Sequence, residues 1–111
     1  MTNVVLVCAA GVSGTFLARR MRTIDPQLSP VVTTATAFES VVPSADVVLI
    51  APQLAGDADA IRRVSGGVPA ILLPAAAYGI AGAEIAVRAV HDALASVSAA
   101  YRDSSPTPMK E

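Results

Sequence analysis

The sequence predicts an α/β fold, a single three-layer doubly wound domain whose four-stranded parallel sheet carries helices on both faces. Three observations lead there. Four short runs, Val4 to Val7, Val31 to Thr34, Val47 to Ile50 and Val68 to Leu73, are apolar or β-branched at nearly every position, as strands buried on both sides must be. Segments with helical spacing separate them, and parallel strands require such crossovers. A single cysteine, Cys8, follows the first run at once, and open α/β sheets place their sites outside the carboxyl ends of strands.

Each element follows from local chemistry. Val4 to Val7 is the first strand. A helix from about Gly14 to Thr23 comes next, with Ser13 as its cap and Leu17, Met21 and Ile24 at i, i+4 and i+7 on the inner face. Asp25-Pro26 ends it. Pro30 leads into the second strand, Val31 to Thr34, and Phe38 to Val42 forms a short helix or a loop before Pro43. The third strand is Val47 to Ile50. Pro52 suits a helix start, and Leu54, Ala58 and Ile61 share one face before Gly66-Gly67 closes it. Val68 to Leu73 is the fourth strand. An Ala-rich helix from about Gly82 to Ala100 then turns Ala86, Val90, Leu94 and Val97 inward.

A chain of 111 residues holds one core, burying about two-thirds of its unfolded surface, so residues 1–101 form one domain. Arg102 to Glu111 has two Pro, two Ser and mixed charge without an apolar face, and is expected to be a disordered tail. The formal net charge of −1 offers no basic field for a polyanion, which argues against nucleic-acid binding. The apolar runs fall well short of the roughly 20 residues a membrane span needs. No direct membrane insertion is expected. Met1 to Val7 lacks the basic start and long apolar stretch of a secretory signal, and one cysteine permits no internal disulfide, so a cytoplasmic location fits.

Cys8 is followed by Ala9, Ala10, Gly11, Val12, Ser13, Gly14 and Thr15, a short run of small residues opening a helix. Their N–H groups can converge on an anion seated over the helix N-terminus, and Gly11 permits close approach. The same amides and the helix dipole favour the thiolate of Cys8. An ordinary thiol is only a few per cent thiolate at pH 7, so this raises the reactive fraction. The reading is a phosphate-handling nucleophile that needs neither metal nor cofactor.

Three other cysteine chemistries fit less well. The strand, loop and helix resemble those of low-molecular-weight tyrosine phosphatases, but these place an Arg six residues after the Cys, where this chain has Gly14. Without that guanidinium, hydrolysis loses its main electrostatic stabiliser. A disulfide-based reductase needs a resolving cysteine. A Cys-His hydrolase needs a nearby imidazole, whereas His91 lies far along the chain on the last helix, where an ordinary surface role is expected. What remains is a site that takes a phosphoryl group and keeps it for a partner.

The order C-x-x-G-x-S ending the first strand, Ala45-Asp46-Val47-Val48-Leu49 leading to Pro52-Gln53, and an apolar fourth strand leading to Tyr78-Gly79 resemble the enzyme IIB component of the lactose/cellobiose (chitobiose) branch of the sugar phosphotransferase system, over roughly Asn3 to Ala95. The resemblance implies a four-stranded parallel sheet with the active cysteine in a phosphatase-like loop. It implies two partners, a phosphohistidine-bearing IIA protein that charges Cys8 and a membrane IIC transporter whose bound sugar receives the phosphoryl group. Sugar recognition then belongs to IIC. Carried over, Cys8 is the phosphorylated nucleophile, the amides from Ala9 to Gly14 are its cradle, and Ser13 either donates a hydroxyl or caps the helix. Ala9 and Gly14 depart from the family's usual Ser or Thr, a loss that Thr15 is placed to offset.

Four further residues are candidates for the site edge or for partner contact. Pro52 and Gln53 either bring an amide beside the phosphocysteine or merely start a helix. Tyr78 either lines the same edge or anchors the last helix, and Phe16 is either an exposed contact for IIA or IIC or a core residue. Arg19, Arg20 and Arg22 are either a solvated helix face or a steering patch for an acidic partner. Successive docking of two partners requires small, transient interfaces, near or below about 1,200 Å², and a monomer between encounters. A regulatory module that is phosphorylated without meeting a sugar is the competing reading, and a small cysteine phosphatase or reductase the more distant one.

Overall fold

The computed structural model describes residues 2–8, 11–78 and 82–104. Along them run β1 (Thr2–Cys8), α1 (Gly11–Ile24), β2 (Leu28–Thr34), β3 (Val47–Ile50), α2 (Ala58–Ser65), β4 (Ala70–Leu72) and α3 (Gly82–Ser104). The strands pair in the order β2-β1-β3-β4, and every pairing is parallel. This is the doubly wound sheet that the apolar runs predict.

Register explains why those runs are continuous. Val4 lies level with Pro30 and Val47, and Val7 with Thr33 and Ile50. With side chains alternating across the sheet, Val4, Leu6, Cys8, Val47 and Leu49 pack towards Leu17 and Met21 of α1 and Ala86 and Val90 of α3. Val5, Val7, Val48 and Ile50 pack the other way, against Phe38, Val42, Leu54 and, on α2, Ala58 and Ile61. Each fully buried Val, Leu or Ile contributes about 1.5–3 kcal/mol of burial. A polar residue in the middle of β1 or β3 would face a core whichever way it pointed.

The structure departs from the sequence expectations mostly at element ends. α1 opens at Gly11, not at about Gly14, so Ser13 lies inside the helix and is not its cap. The strand ends at Cys8, and the chain turns into helix within two residues, so a cap three residues further on has no extended backbone left to occupy. Ile24, expected on the inner face, is 45% exposed. It is the last helical residue, and the chain turns away there, with Asp25 N donating to Met21 O at 2.9 Å and Leu28 N to Asp25 O at 3.1 Å. The buried stripe therefore ends at Met21.

β2 begins at Leu28 and includes Pro30, which an edge strand tolerates because no second neighbour needs its N–H. The Phe38 to Val42 stretch resolves into 3-10 turns at Phe38–Ser40 and Val42–Ser44 that bury Phe38 and Val42. After β3 the chain runs as a 3-10 segment, Pro52–Asp57, kinked at Leu54, and becomes α-helical only at Ala58. Leu54, Ala58 and Ile61 are nonetheless all buried. Gly66 ends α2 at a φ of 61°, a conformation that favours glycine. The fourth strand pairs over Ala70–Leu72 only. α3 continues to Ser104, with Ala86 and Val90 buried and Leu94 half-buried. The side chain of Val97 and residues 105–111 lie outside the described residues. No described helix is long and apolar enough to cross a membrane.

Candidate active site

All four strands end at one edge of the sheet. The chain leaves β1 towards β2 and leaves β3 towards β4, so strand order switches between β1 and β3, which is where such sheets open a crevice. Cys8 closes β1, level with Thr34 of β2. On the other side the ladder extends past β3, with Ala51 N donating to Val7 O at 2.9 Å, which sets Pro52 and Gln53 just beyond the crevice. Leu73 N donates to Ile50 O at 2.9 Å, and the chain then enters the 3-10 turn Ala75–Tyr78.

Alternation along β1 decides where the sulfur goes. Cys8 shares the face of Val4 and Leu6, belongs to the same core cluster, and is 2% exposed. α1 closes over it through Gly14, itself buried. A Cβ on Gly14 would fall on the Sγ of Cys8, 3.0 Å from Cγ1 of Val32 and 3.4 Å from the Cβ of Cys8. The sulfur occupies the room that a side chain at position 14 would need.

The expected cradle changes accordingly. Ala9 and Ala10 alone separate β1 from α1, and both lie outside the described residues. Gly11 to Thr15 are helical, not looped. The N–H groups of Gly11, Val12 and Ser13 therefore belong to a first helical turn, which has no acceptors of its own and sits at the positive end of the helix dipole. The structure describes only the backbone of Val12 and Ser13, whereas Thr15 is exposed.

Of the remaining candidates, Pro52 is half-buried and Gln53 exposed. Phe16 is 59% exposed, which removes the core alternative. The Arg20 guanidinium carbon stands 5.7 Å from its ring centroid, a contact worth about 0.5–1 kcal/mol at an exposed site. Arg19, Arg20 and Arg22 all lie on the exposed side of α1. The Tyr78 backbone ends its 3-10 turn, while its side chain and Gly79 lie outside the described residues.

His91 does more than sit on the surface. Its Nε2 lies 2.8 Å from Oδ2 of Asp25, joining α3 to the end of α1 that is remote from Cys8. That hydrogen bond, followed by one from Gln27 N, holds the Asp25 carboxyl below its ordinary value of 3.8.

The sequence alone marks Gly14 as a lost arginine or hydroxyl. Its steric role carries a fainter signal, since a glycine inside a helix costs about 1 kcal/mol against alanine and so points to a close approach. Gly82 is a parallel case at the start of α3. A Cβ there would fall on the carbonyl of Ala77, so glycine lets α3 begin against the turn after β4.

A parallel α/β domain with its cysteine tucked beneath a helix N-terminus at the strand switch defines a class of small cysteine-bearing domains. Residues 3–94 match the family model described as PTS system, lactose/cellobiose specific IIB subunit, and the chain belongs to that family. Comparison with curated protein sequences gave no match. Among solved structures, the cellobiose-specific phosphotransferase IIB component protein of Borrelia burgdorferi is similar, with a TM-score of 0.71 and 25% identity over 86% of this chain and 93% of that one. The lactose-specific IIB component domain of Streptococcus pneumoniae has a TM-score of 0.64 at 16% identity, covering 90% of this chain and 97% of that one, a likeness of fold alone.

Proposed function

We propose that this chain is the cytoplasmic phosphocarrier of a sugar phosphotransferase system, in which Cys8 takes a phosphoryl group from a phosphohistidine of IIA and gives it to a sugar held by the membrane transporter IIC. The observation that carries this reading is Cys8 at the strand switch, beneath the first turn of α1, with Gly14 where a phosphatase has arginine. The helix N-terminus favours a phosphate dianion. The missing guanidinium withholds from water a stabilisation worth about 2.7–4 kcal/mol at comparable oxyanion sites. Phosphocysteine can then wait.

The chemistry is two in-line displacements with inversion at phosphorus in each. The Cys8 thiolate attacks, the S–P bond forms, the N–P bond breaks, and the imidazole leaves with the electron pair. Later a sugar hydroxyl oxygen attacks, its proton passes to a base on IIC, the O–P bond forms, and the thiolate departs. Phe16, with Arg20 over its ring, offers IIA or IIC an apolar contact next to positive charge near the start of α1, and Arg19 and Arg22 add charge further along its exposed side. Pro52 and Gln53 border the opposite side of the crevice.

Incubation with phosphorylated IIA tests the reading. The intact mass is expected to rise by one phosphoryl group on Cys8, and not in Cys8→Ser. No gain, or equal gain in the variant, overturns it. A charged Cys8 that never passes its group to sugar in the presence of IIC favours the regulatory module, and steady phosphate release from a chromogenic ester favours hydrolysis.

A further inference from the structure

The covered thiol and a phosphorylated one cannot occupy the same place. Cys8 is 2% exposed, and its inner surroundings are Gly14, Val32 and a cluster including Leu17 and Ala51. In-line attack requires phosphorus to reach the sulfur from solvent, and the group it delivers carries about −1.5 to −2 charge at neutral pH. Apolar packing on that side excludes such a dianion. The Cys8 side chain has other staggered positions, and charging requires one that turns Sγ towards the carboxyl edge.

Resting on the carrier reading, we propose that Gly14 is a positioning residue: lacking a side chain, it lets the Cys8 sulfur lie inward in the unphosphorylated chain, and charging swings that sulfur outward. The two states are a covered thiol and an outward phosphothiol. Covering matters because this is the chain's only cysteine, and an exposed thiolate reacts with any passing electrophile or oxidant. Glycine is specifically needed, since even a methyl group at position 14 takes the space that the sulfur now fills.

Iodoacetamide, whose iodide is displaced by the thiolate, reads the sulfur's position without any partner protein. The native chain is expected to react at least about tenfold more slowly than the urea-unfolded chain, and Gly14→Ala to recover about tenfold of native rate. Equal native and unfolded rates, or an unchanged rate in folded Gly14→Ala, overturn the proposal. A double-mutant cycle covers the case in which Gly14→Ala fails to fold. The loss in urea midpoint caused by Gly14→Ala should largely vanish in a Cys8→Ala background, where alanine is simply the better helix former. Folding of the double variant but not the single one supports the proposal, whereas equal losses, or failure of both to fold, overturn it. Failed charging by IIA with these results intact removes the carrier reading and the outward phosphothiol with it, and leaves the inward seat of the sulfur against Gly14 standing.

Discussion

The two edges of the sheet are held in different ways. At the amino edge, polar side chains clamp strands together: Asn3 N donates to Asp46 Oδ2 at 2.8 Å, Asp46 N to Asn3 O at 2.8 Å, and Asn3 Nδ2 to Ser44 O at 3.0 Å. His91 and Asp25 tie α3 to α1 at the same end. At the carboxyl edge, glycines at positions 14 and 82 let helix backbone close onto Cys8 and Ala77. One edge uses its polar groups up on itself. The other brings the start of α1 down to a sulfur and the start of α3 down to the turn after β4. A parallel sheet can thus be fixed at one end and left chemically available at the other.

This contrast can be broken in order of size. Cys8→Ser should stop phosphoryl acceptance, a loss of about 10³-fold or more, because a serine hydroxyl has no anionic form within reach of neutral pH whereas a thiol always supplies a fraction of thiolate. Its urea midpoint should also fall, by about 1–3 kcal/mol in stability, because a hydroxyl replaces the sulfur in an apolar cluster. Phe16→Ala should slow charging by IIA about tenfold in a stopped mass assay while stability stays within about 0.5 kcal/mol. Equal slowing with a generic acyl-phosphate donor would show that Phe16 serves the chemistry and not the partner.

Asp46→Ala belongs to the opposite edge and should lower stability by about 1 kcal/mol, measured by urea unfolding, with charging rates unchanged. The smallest effect concerns pH. Asp25 is held below 3.8 in the fold, so its contribution is present above its unfolded value and is lost as pH falls through the lower folded value. Urea midpoints taken from about pH 5 to about pH 3 should fall less steeply in His91→Ala. An identical acid limb would detach Asp25 from the stability of that edge.

Most of the architecture is legible because β1 and β3 are central strands. Val4 to Val7 and Val47 to Ile50 must satisfy two cores at once, so their chemistry leaves little choice. Element ends are less legible. Ser13 has the chemistry of a cap, yet two residues suffice to join β1 to α1, and tertiary placement overrides it. The site is legible as a position, Cys8 before a helix, but not as a direction. Which face the sulfur takes depends on where β1 stops, and a one-residue change in that end point decides whether Cys8 counts as strand or loop. Gly14 shows the same limit, because its meaning appears only once the sulfur above it has been placed. Asp46 and Asn3 stand 43 residues apart, and only register brings them together.

Pro30 has a consequence beyond tolerance. It sits within the outermost strand on one flank, where it removes a main-chain donor from the rim, while the opposite flank ends in a strand of only three residues. Neither rim offers an unbroken row of hydrogen-bonding groups on which a foreign strand could grow. On the carrier reading, in which two partners are met briefly and released, the sheet is thereby guarded against the one kind of contact that would not let go.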